Sequence, residues 1–313
     1  MSSGTIMVKE PPIFIIGCPR SGTTLLASFL ENTRYGAPVE THFIIKYYKR
    51  LKKYLPLTEK KNFHRLVKSI INERPIQQWK INFDIDKLWN HLQNPTYSEI
   101  VNLICMERYS RLGKRSWGDK TPHYILSLNT LFELFPNSKY IYIVRDGRDV
   151  ALSLLQKKWG PNNVYSCALY WKMCNTIQSD TLKKIKEKGN LFEIRYEDLL
   201  LNPTEVIRQL YDFLQEDIAQ NVLISLAHKI KKDNFYKWKT RMSFQQLKIF
   251  ESVAGDVLEY YGYEVNNDSL GVTFYEKVFY KIHDLVLKWI YLIELNTIDW
   301  IKIRLFEKEP FGE

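Results

Sequence analysis

The sequence predicts an α/β fold of three layers, with a central, mainly parallel sheet between helices. Three observations predict it. Short runs rich in β-branched and aromatic residues, at Ile13–Ile16, Lys139–Val144 and Asn190–Tyr196, read as buried strands. Between them lie stretches whose apolar residues recur at helical spacing. The chain has 313 residues, 45% of them hydrophobic, enough for one sizeable core with an appended helical piece.

The first element carries the most information. Ile13-Phe14-Ile15-Ile16 leads into a tight loop bounded by Gly17 and Gly22, and Thr23 to Leu30 reads as a helix. Such a loop is a phosphate cradle, because backbone N–H groups and the positive end of the helix dipole face an anion. The spacing is G-x-x-x-x-G-T-T, which keeps that of the nucleoside-triphosphate loop G-x-x-x-x-G-K-[ST]. The fold is therefore P-loop-like. Thr23 stands where a lysine would reach the β/γ-phosphates, and Arg20 supplies a cation from inside the loop instead. That exchange argues against a triphosphate ligand.

The elements then follow in order. Glu31 to Gly36 ends the helix at a glycine stop, and Ala37 to His42 opens a long segment. From about residue 43 to 111 the periodicity is helical, broken at Pro56, Pro75 and Pro95. This reads as a helical insertion on the acceptor side, with Tyr47, Tyr48, Trp79 and Trp89 suited to sugars, lipids or aromatic hydroxyls. Arg115 to Pro122 reads as a short strand ending in a polar loop, and Tyr124 to Phe135 as a helix stopped by Pro136. After Val144 comes the loop Arg145–Asp149, then a helix from Val150 to Lys158. Ligands of open parallel sheets sit beyond the carboxyl ends of strands, so this loop and the first are expected to face one crevice. Tyr165 to Lys188 reads as one helix, and Thr204 to Leu214 as another. The pattern lapses near Phe235–Arg241, and Ser243 caps a helix running to Tyr261. From Phe274 to Phe306 the tail is helical, with Val278, Ile282, Leu285, Trp289 and Leu292 on one stripe. We divide the chain into an α/β domain, 1–270, and a C-terminal helical extension, 271–313.

The string P-R-S-G-T-T-L after a strand resembles the 5′-phosphosulfate loop of sulfotransferases, which use 3′-phosphoadenosine 5′-phosphosulfate (PAPS). Val144-Arg145-Asp146-Gly147-Arg148 to Ser153 is similar to the 3′-phosphate motif of the same family, and Arg195-Tyr196-Glu197-Asp198-Leu199 to its Tyr-Glu-Asp-Leu element. The bacterial and tyrosylprotein-type members are the ones it resembles. The resemblance spans roughly Pro12 to Tyr263. It implies that Arg20, Ser21, Gly22, Thr23 and Thr24 hold the 5′-phosphosulfate, and that Arg145 and Ser153 hold the 3′-phosphate. A planar guanidinium fork suits a phosphate, and Ser153 would add a hydroxyl one turn into a helix. The bland alternative has Arg145, Asp146, Arg148 and Asp149 pairing among themselves on the surface. Tyr196 would lie near the nucleotide, and Lys239, in Lys237-Trp238-Lys239-x-Arg241, falls where relatives carry a basic-aromatic loop.

Sulfuryl transfer needs an acceptor that loses a proton, positive charge on the leaving phosphate, and alignment. Glu40 resembles the family glutamate that serves as general base, and Lys120, in Gly-Asp-Lys-Thr-Pro, the lysine on the transferring group. Arg20 joins them as a catalytic residue. His42 competes with Glu40, because other members use a histidine base and strand-like geometry would put both on one face. His123 reads as a cap or packing residue. The implied product is adenosine 3′,5′-bisphosphate, no metal is expected, and the acceptor is a hydroxyl (on a glycan, lipid, small molecule or peptide) before an amine.

Composition narrows the rest. The formal net charge of +10 attracts anions, but no recognisable nucleic-acid module is present, so no nucleic-acid partner is expected. The four cysteines form no C-x-x-C and no zinc spacing; with no signal peptide or membrane span, a reducing, cytoplasmic setting is expected, peripheral to a membrane in one reading of the tail. The absence of a membrane anchor and of paired cysteines departs from the Golgi members and weakens a secreted-tyrosine acceptor. Two rival classes stand beside the enzyme: a nucleotide or small-molecule kinase, which needs Mg²⁺ and ATP, and a basic surface-binding protein with a vestigial loop. The tail has two readings as well. Its stripe packs on the catalytic domain or across a dimer seam, the preferred one, or the helix lies on an anionic membrane.

Overall fold

Ile13–Gly17 (β1) is buried along its whole length in the computed structural model of the chain, which describes residues 10–92, 94–177, 179–231, 234–266 and 271–294. The chain divides into two compact units: Met1–Val144 with Ile177–Asp233, and Arg145–Thr176 with Asn234–Glu313.

The first unit holds the sheet. Gly118–Asp119 (β2), Lys139–Val144 (β3) and Leu191–Arg195 (β4) join β1 in the order β2-β1-β3-β4, every pair parallel. Consecutive residues of a strand point to opposite faces. Unbroken burial along β1, and along β3 after Lys139, therefore means cover on both sides, which is the three-layer arrangement. Phe14 anchors the core, stacked on Tyr140 at 5.4 Å and edge-on to Trp117 at 5.6 Å. The strand order reverses at β1, with β2 on one side and β3 on the other, and the glycine-bounded loop leaves its carboxyl end. That is the switch point where open α/β sheets place their ligands. Between β1 and β2 the helical insertion comprises Phe43–Tyr48, Lys60–Ile71, Arg74–Gln77, Ile85–Asn90 and Tyr97–Arg111. The four cysteines are buried, and none is in a disulfide.

Two expected helices are each split into two segments. Tyr124–Phe135 is a 3₁₀ segment, Pro122–Ser127, followed by a helix at Leu128–Leu134. Pro122 opens the segment, and the Tyr124 hydroxyl is tied to Thr41 at 3.3 Å and accepts from Ile44 N–H at 3.0 Å. The stretch expected from Tyr165 to Lys188 is two helices, Val164–Thr176 and Ser179–Glu187. No proline or glycine marks the break, so periodicity alone runs through it.

The second unit is helical. Among the described residues its helices are Gly147–Leu154, Val164–Thr176, Trp238–Arg241, Phe244–Tyr260 and Phe274–Ile293. Gly147 lets the first of them approach closely: a Cβ there would lie 2.5 Å from the Trp171 ring and 2.6 Å from Phe250. Ser243 accepts from Gln246 N–H and closes a capping box, as the sequence predicts. The tail helix, however, turns its apolar stripe outward. Val278, Ile282, Leu285, Trp289 and Leu292 are 40–60% exposed, which corrects the expectation that they pack on the catalytic domain. The opposite, polar and aromatic face is held instead: Tyr280 stacks on Tyr165 at 5.7 Å, and Asp284 accepts from Asn162 N–H at 2.7 Å. The stretch beyond Glu294, with Asp299, Lys302 and Arg304, lies outside the described residues.

Candidate active site

The loop after β1 is shaped for an anion. Arg20 is exposed and sits in the left-handed region, φ 75°. Ser21 is fully buried, and its Oγ has no hydrogen-bond partner among the described residues. A buried hydroxyl left unpaired costs about 1–3 kcal/mol, so its position suits a polar ligand atom. Gly22 adopts φ 100°, and a Cβ there would lie 2.5 Å from the Tyr196 ring. Tyr196 thus closes over the second glycine of the loop. The helix Thr23–Phe29 begins without a side-chain cap, Thr23 is buried and Thr24 exposed. An orphaned hydroxyl beside a glycine-bounded turn fits a phosphate-bearing ligand.

A second group stands beside it. Val39 bridges Asp119 in parallel, and Lys120 N–H donates to the Val39 carbonyl at 3.0 Å. This extends β2 and lays the chain before His42 along the chain after Asp119. The buried Asp119 clamps the two, accepting from Thr41 N–H at 3.1 Å, Thr121 N–H at 2.8 Å and Thr121 Oγ1 at 3.1 Å. Glu40 and Lys120 are thereby set side by side. Lys120 Nζ donates to Glu40 Oε1 and, at 3.3 Å, to Thr24 Oγ1 at the end of the glycine-bounded loop. His42, at φ 55°, places its Nε2 2.9 Å from Glu40 Oε2. The expected competitor for the base is thus its direct partner. His123 is exposed.

The electrostatics follow. Burial raises the Glu40 pKa, but the His42 and Lys120 hydrogen bonds and the Lys120 charge outweigh it and hold the carboxyl down to about 2. The folded pKa is below the ordinary value of 4.5, so this ionised pair stabilises the fold above the ordinary carboxylate range and is lost as pH falls through about 2. Burial pushes Asp119 up to about 6, against the pull of its Thr41 and Thr121 donors. Asp119 is a residue that sequence reasoning passed over, although it lies inside Gly-Asp-Lys-Thr-Pro. Asp119→Asn turns an amide donor toward groups that already donate. It should cost about 1–3 kcal/mol, read as a lower melting temperature, with reduced turnover. A variant as stable and active as the parent would remove Asp119 from this clamping role.

The remaining predicted residues lie in the second unit. Arg145, 8% exposed, donates to Asp149 Oδ2 at 3.3 Å and to the Asn234 carbonyl at 3.0 Å. Arg148 is a structural staple. It is 1% exposed, lies 3.6 Å above the Trp238 ring, and pairs with Asp146 at 2.8 Å and Glu251 at 2.7 Å. The pairing of charges around Arg145–Asp149 is real but buried, not on the surface. Ser153 is half-buried in the last turn of Gly147–Leu154, not one turn into a helix as expected. The cause is Asp146, whose carboxylate accepts from Arg148 N–H at 2.9 Å and starts the helix at Gly147 rather than Val150. Lys239 pairs with Glu264 at 2.9 Å on the surface.

A family model described as "Sulfotransferase family" matches residues 11–220. "Protein-tyrosine sulfotransferase A" of Caenorhabditis elegans is 31% identical over 220 residues, covering 66% of this chain and 50% of that protein. "Omega-hydroxy-beta-dihydromenaquinone-9 sulfotransferase Stf3" of Mycobacterium tuberculosis is 24% identical over 302 residues, 82% of this chain and 76% of that one. The solved "Sulfotransferase Domain from the Curacin Biosynthetic Pathway" superposes with a TM-score of 0.52 at 25% identity, over 82% of this chain and 99% of that chain. The chain spans half the length of the Caenorhabditis relative and 38% of a Drosophila melanogaster protein-tyrosine sulfotransferase.

Proposed function

Because this chain belongs to the sulfotransferase family, we propose that it moves a sulfuryl group from PAPS to a hydroxyl acceptor, with Glu40 as general base. The observation that carries the proposal is the Lys120 ammonium, which touches both Glu40 and Thr24 of the phosphate loop. One cation therefore links the base to the donor cradle. Arg20, Ser21, Gly22, Thr23 and Thr24 hold the 5′-phosphosulfate, and Tyr196 backs the loop. In the free protein Lys120 neutralises Glu40. A carboxyl held near pKa 2 is a weak base. When the donor enters, its anionic phosphosulfate competes for Lys120, and Glu40 recovers basicity where the acceptor must be deprotonated.

The transfer balances in one displacement. The acceptor O–H gives its proton to Glu40, and its oxygen bonds to sulfur. The bond from sulfur to the bridging phosphate oxygen breaks. Lys120, Arg20 and the loop then stabilise the charge on adenosine 3′,5′-bisphosphate. His42 orients the second Glu40 oxygen. A hydroxyl acceptor is supported by the relatives' names, since a protein tyrosine and an ω-hydroxylated menaquinone each offer a hydroxyl. Catalysis is assigned to residues 1–270.

Arg145 and Ser153 are assigned to the 3′-phosphate from their sequence motif; Lys239 keeps a supporting role. Losing a charged hydrogen bond costs about 1.5–3 kcal/mol, so Arg145→Ala should weaken binding of adenosine 3′,5′-bisphosphate roughly 10- to 150-fold. Calorimetry should find AMP affinity unchanged by the substitution. If the two nucleotides bind the parent protein equally, the assignment is wrong.

A further inference from the structure

The helix Phe274–Ile293 is inside out. Eleven of its large hydrophobic side chains, among them Tyr275, Phe279, Ile282, Leu285, Trp289 and Ile290, are 40–84% exposed. At 3.6 residues per turn they fill one arc about 160° wide along about 30 Å of helix, and no charged residue falls inside it. We propose that this face docks on a lipid bilayer surface carrying anionic headgroups.

Charge placement selects that occupant. Lys277, Lys281 and Lys288 fall in a single row, within about 40° of one another, along one edge of the apolar arc. Lys288 is paired with Asp284 at 2.7 Å, and Lys277 and Lys281 can sink their stems beside the apolar face and keep their ammonium groups at headgroup level. The acidic residues that would oppose an anionic surface are turned away and engaged. Glu276 accepts from Thr273 N–H and Oγ1 in the helix cap. Asp284 is 8% exposed and accepts from Asn162 and Lys288. Glu294 pairs with Lys158 at 2.8 Å. Among the described residues the three carboxylates of this helix and its C-cap are thus all engaged by protein partners. The breadth of the arc also separates the two partners: a helix pair needs a narrow seam, whereas an interfacial helix presents a wide apolar face with aromatic residues. Among the described residues no helix is long and apolar enough to cross a membrane, so the contact is lateral.

Co-sedimentation of the full chain with vesicles tests this. At low salt it should pellet with vesicles of phosphatidylcholine containing about one-third phosphatidylserine and pellet weakly with phosphatidylcholine alone. Each basic residue near such a surface is worth roughly a fivefold change in binding, so Lys277→Gln/Lys281→Gln should weaken it about 30-fold on anionic vesicles only. Ile282→Asp/Trp289→Asp, at exposed positions, should abolish binding while circular dichroism and nucleotide affinity stay those of the parent. A full chain that stays in the supernatant at low salt overturns the proposal. So does a dimer by sedimentation equilibrium that Ile282→Asp/Trp289→Asp converts to monomer, which would give the face to a second copy.

Discussion

Glu40→Gln should lower turnover by about 10²- to 10⁴-fold while leaving nucleotide binding intact or slightly tighter. The first half follows from general-base catalysis, whose contribution is typically of that size. The amide keeps the shape and a hydrogen-bond acceptor for Lys120, but cannot take the acceptor's proton. The second half follows from the ion pair. Lys120 is shared between Glu40 and the phosphate loop, so neutralising Glu40 releases positive charge toward the anionic donor. Single-turnover kinetics with PAPS and titration of adenosine 3′,5′-bisphosphate read the two halves separately. His42→Ala should cost less, because the imidazole contacts Glu40 Oε2 and acts through it. If Glu40→Gln stays active and His42→Ala is dead, the base is the histidine.

Lys120→Met should lower turnover by about 10²- to 10³-fold, the usual loss when one preorganised donor to a developing charge is removed. Methionine fills similar volume in a buried position, so the fold should survive. A pH signature separates this role from a merely structural one. In the parent, the hydrogen bonds of His42 and Lys120 hold the Glu40 carboxyl at about 2, and kcat/KM should have no acidic limb from this group near neutrality. Without Lys120 the folded pKa rises toward the ordinary carboxylate value, and an acidic limb should move up with it. An unchanged profile at reduced turnover would place Lys120 on the leaving group alone, with no hold on the base.

Much of this site is legible in the sequence because its parts are local. The strand and glycine loop from Ile13 to Gly22 need only β-branched residues and fixed spacing. The Ser243 cap is likewise a four-residue signal. What the sequence hides depends on distant partners. Nothing near Arg148 distinguishes it from Arg145; its role is set by Glu251, 103 residues away, and by the Trp238 ring. Asp119 looks like an ordinary polar residue until Thr41, 78 residues before it, turns its N–H toward the carboxylate. The tail fails differently. Its period is read correctly, but periodicity says which residues share a face, not which face is buried. Asp284 and Tyr280 decide that through Asn162 and Tyr165.

On the proposed function the loop at Gly17–Thr24 serves PAPS and not a nucleoside triphosphate. Thermal unfolding of the full chain with adenosine 3′,5′-bisphosphate, compared with ATP plus Mg²⁺, tests it most directly. Ligand at about 100 times its Kd stabilises by roughly 2.7 kcal/mol, a rise of about 4 °C for a protein of this size. That rise is expected with adenosine 3′,5′-bisphosphate in the presence of a metal chelator, and little with ATP and Mg²⁺. Equal or greater stabilisation by ATP with Mg²⁺ would contradict it.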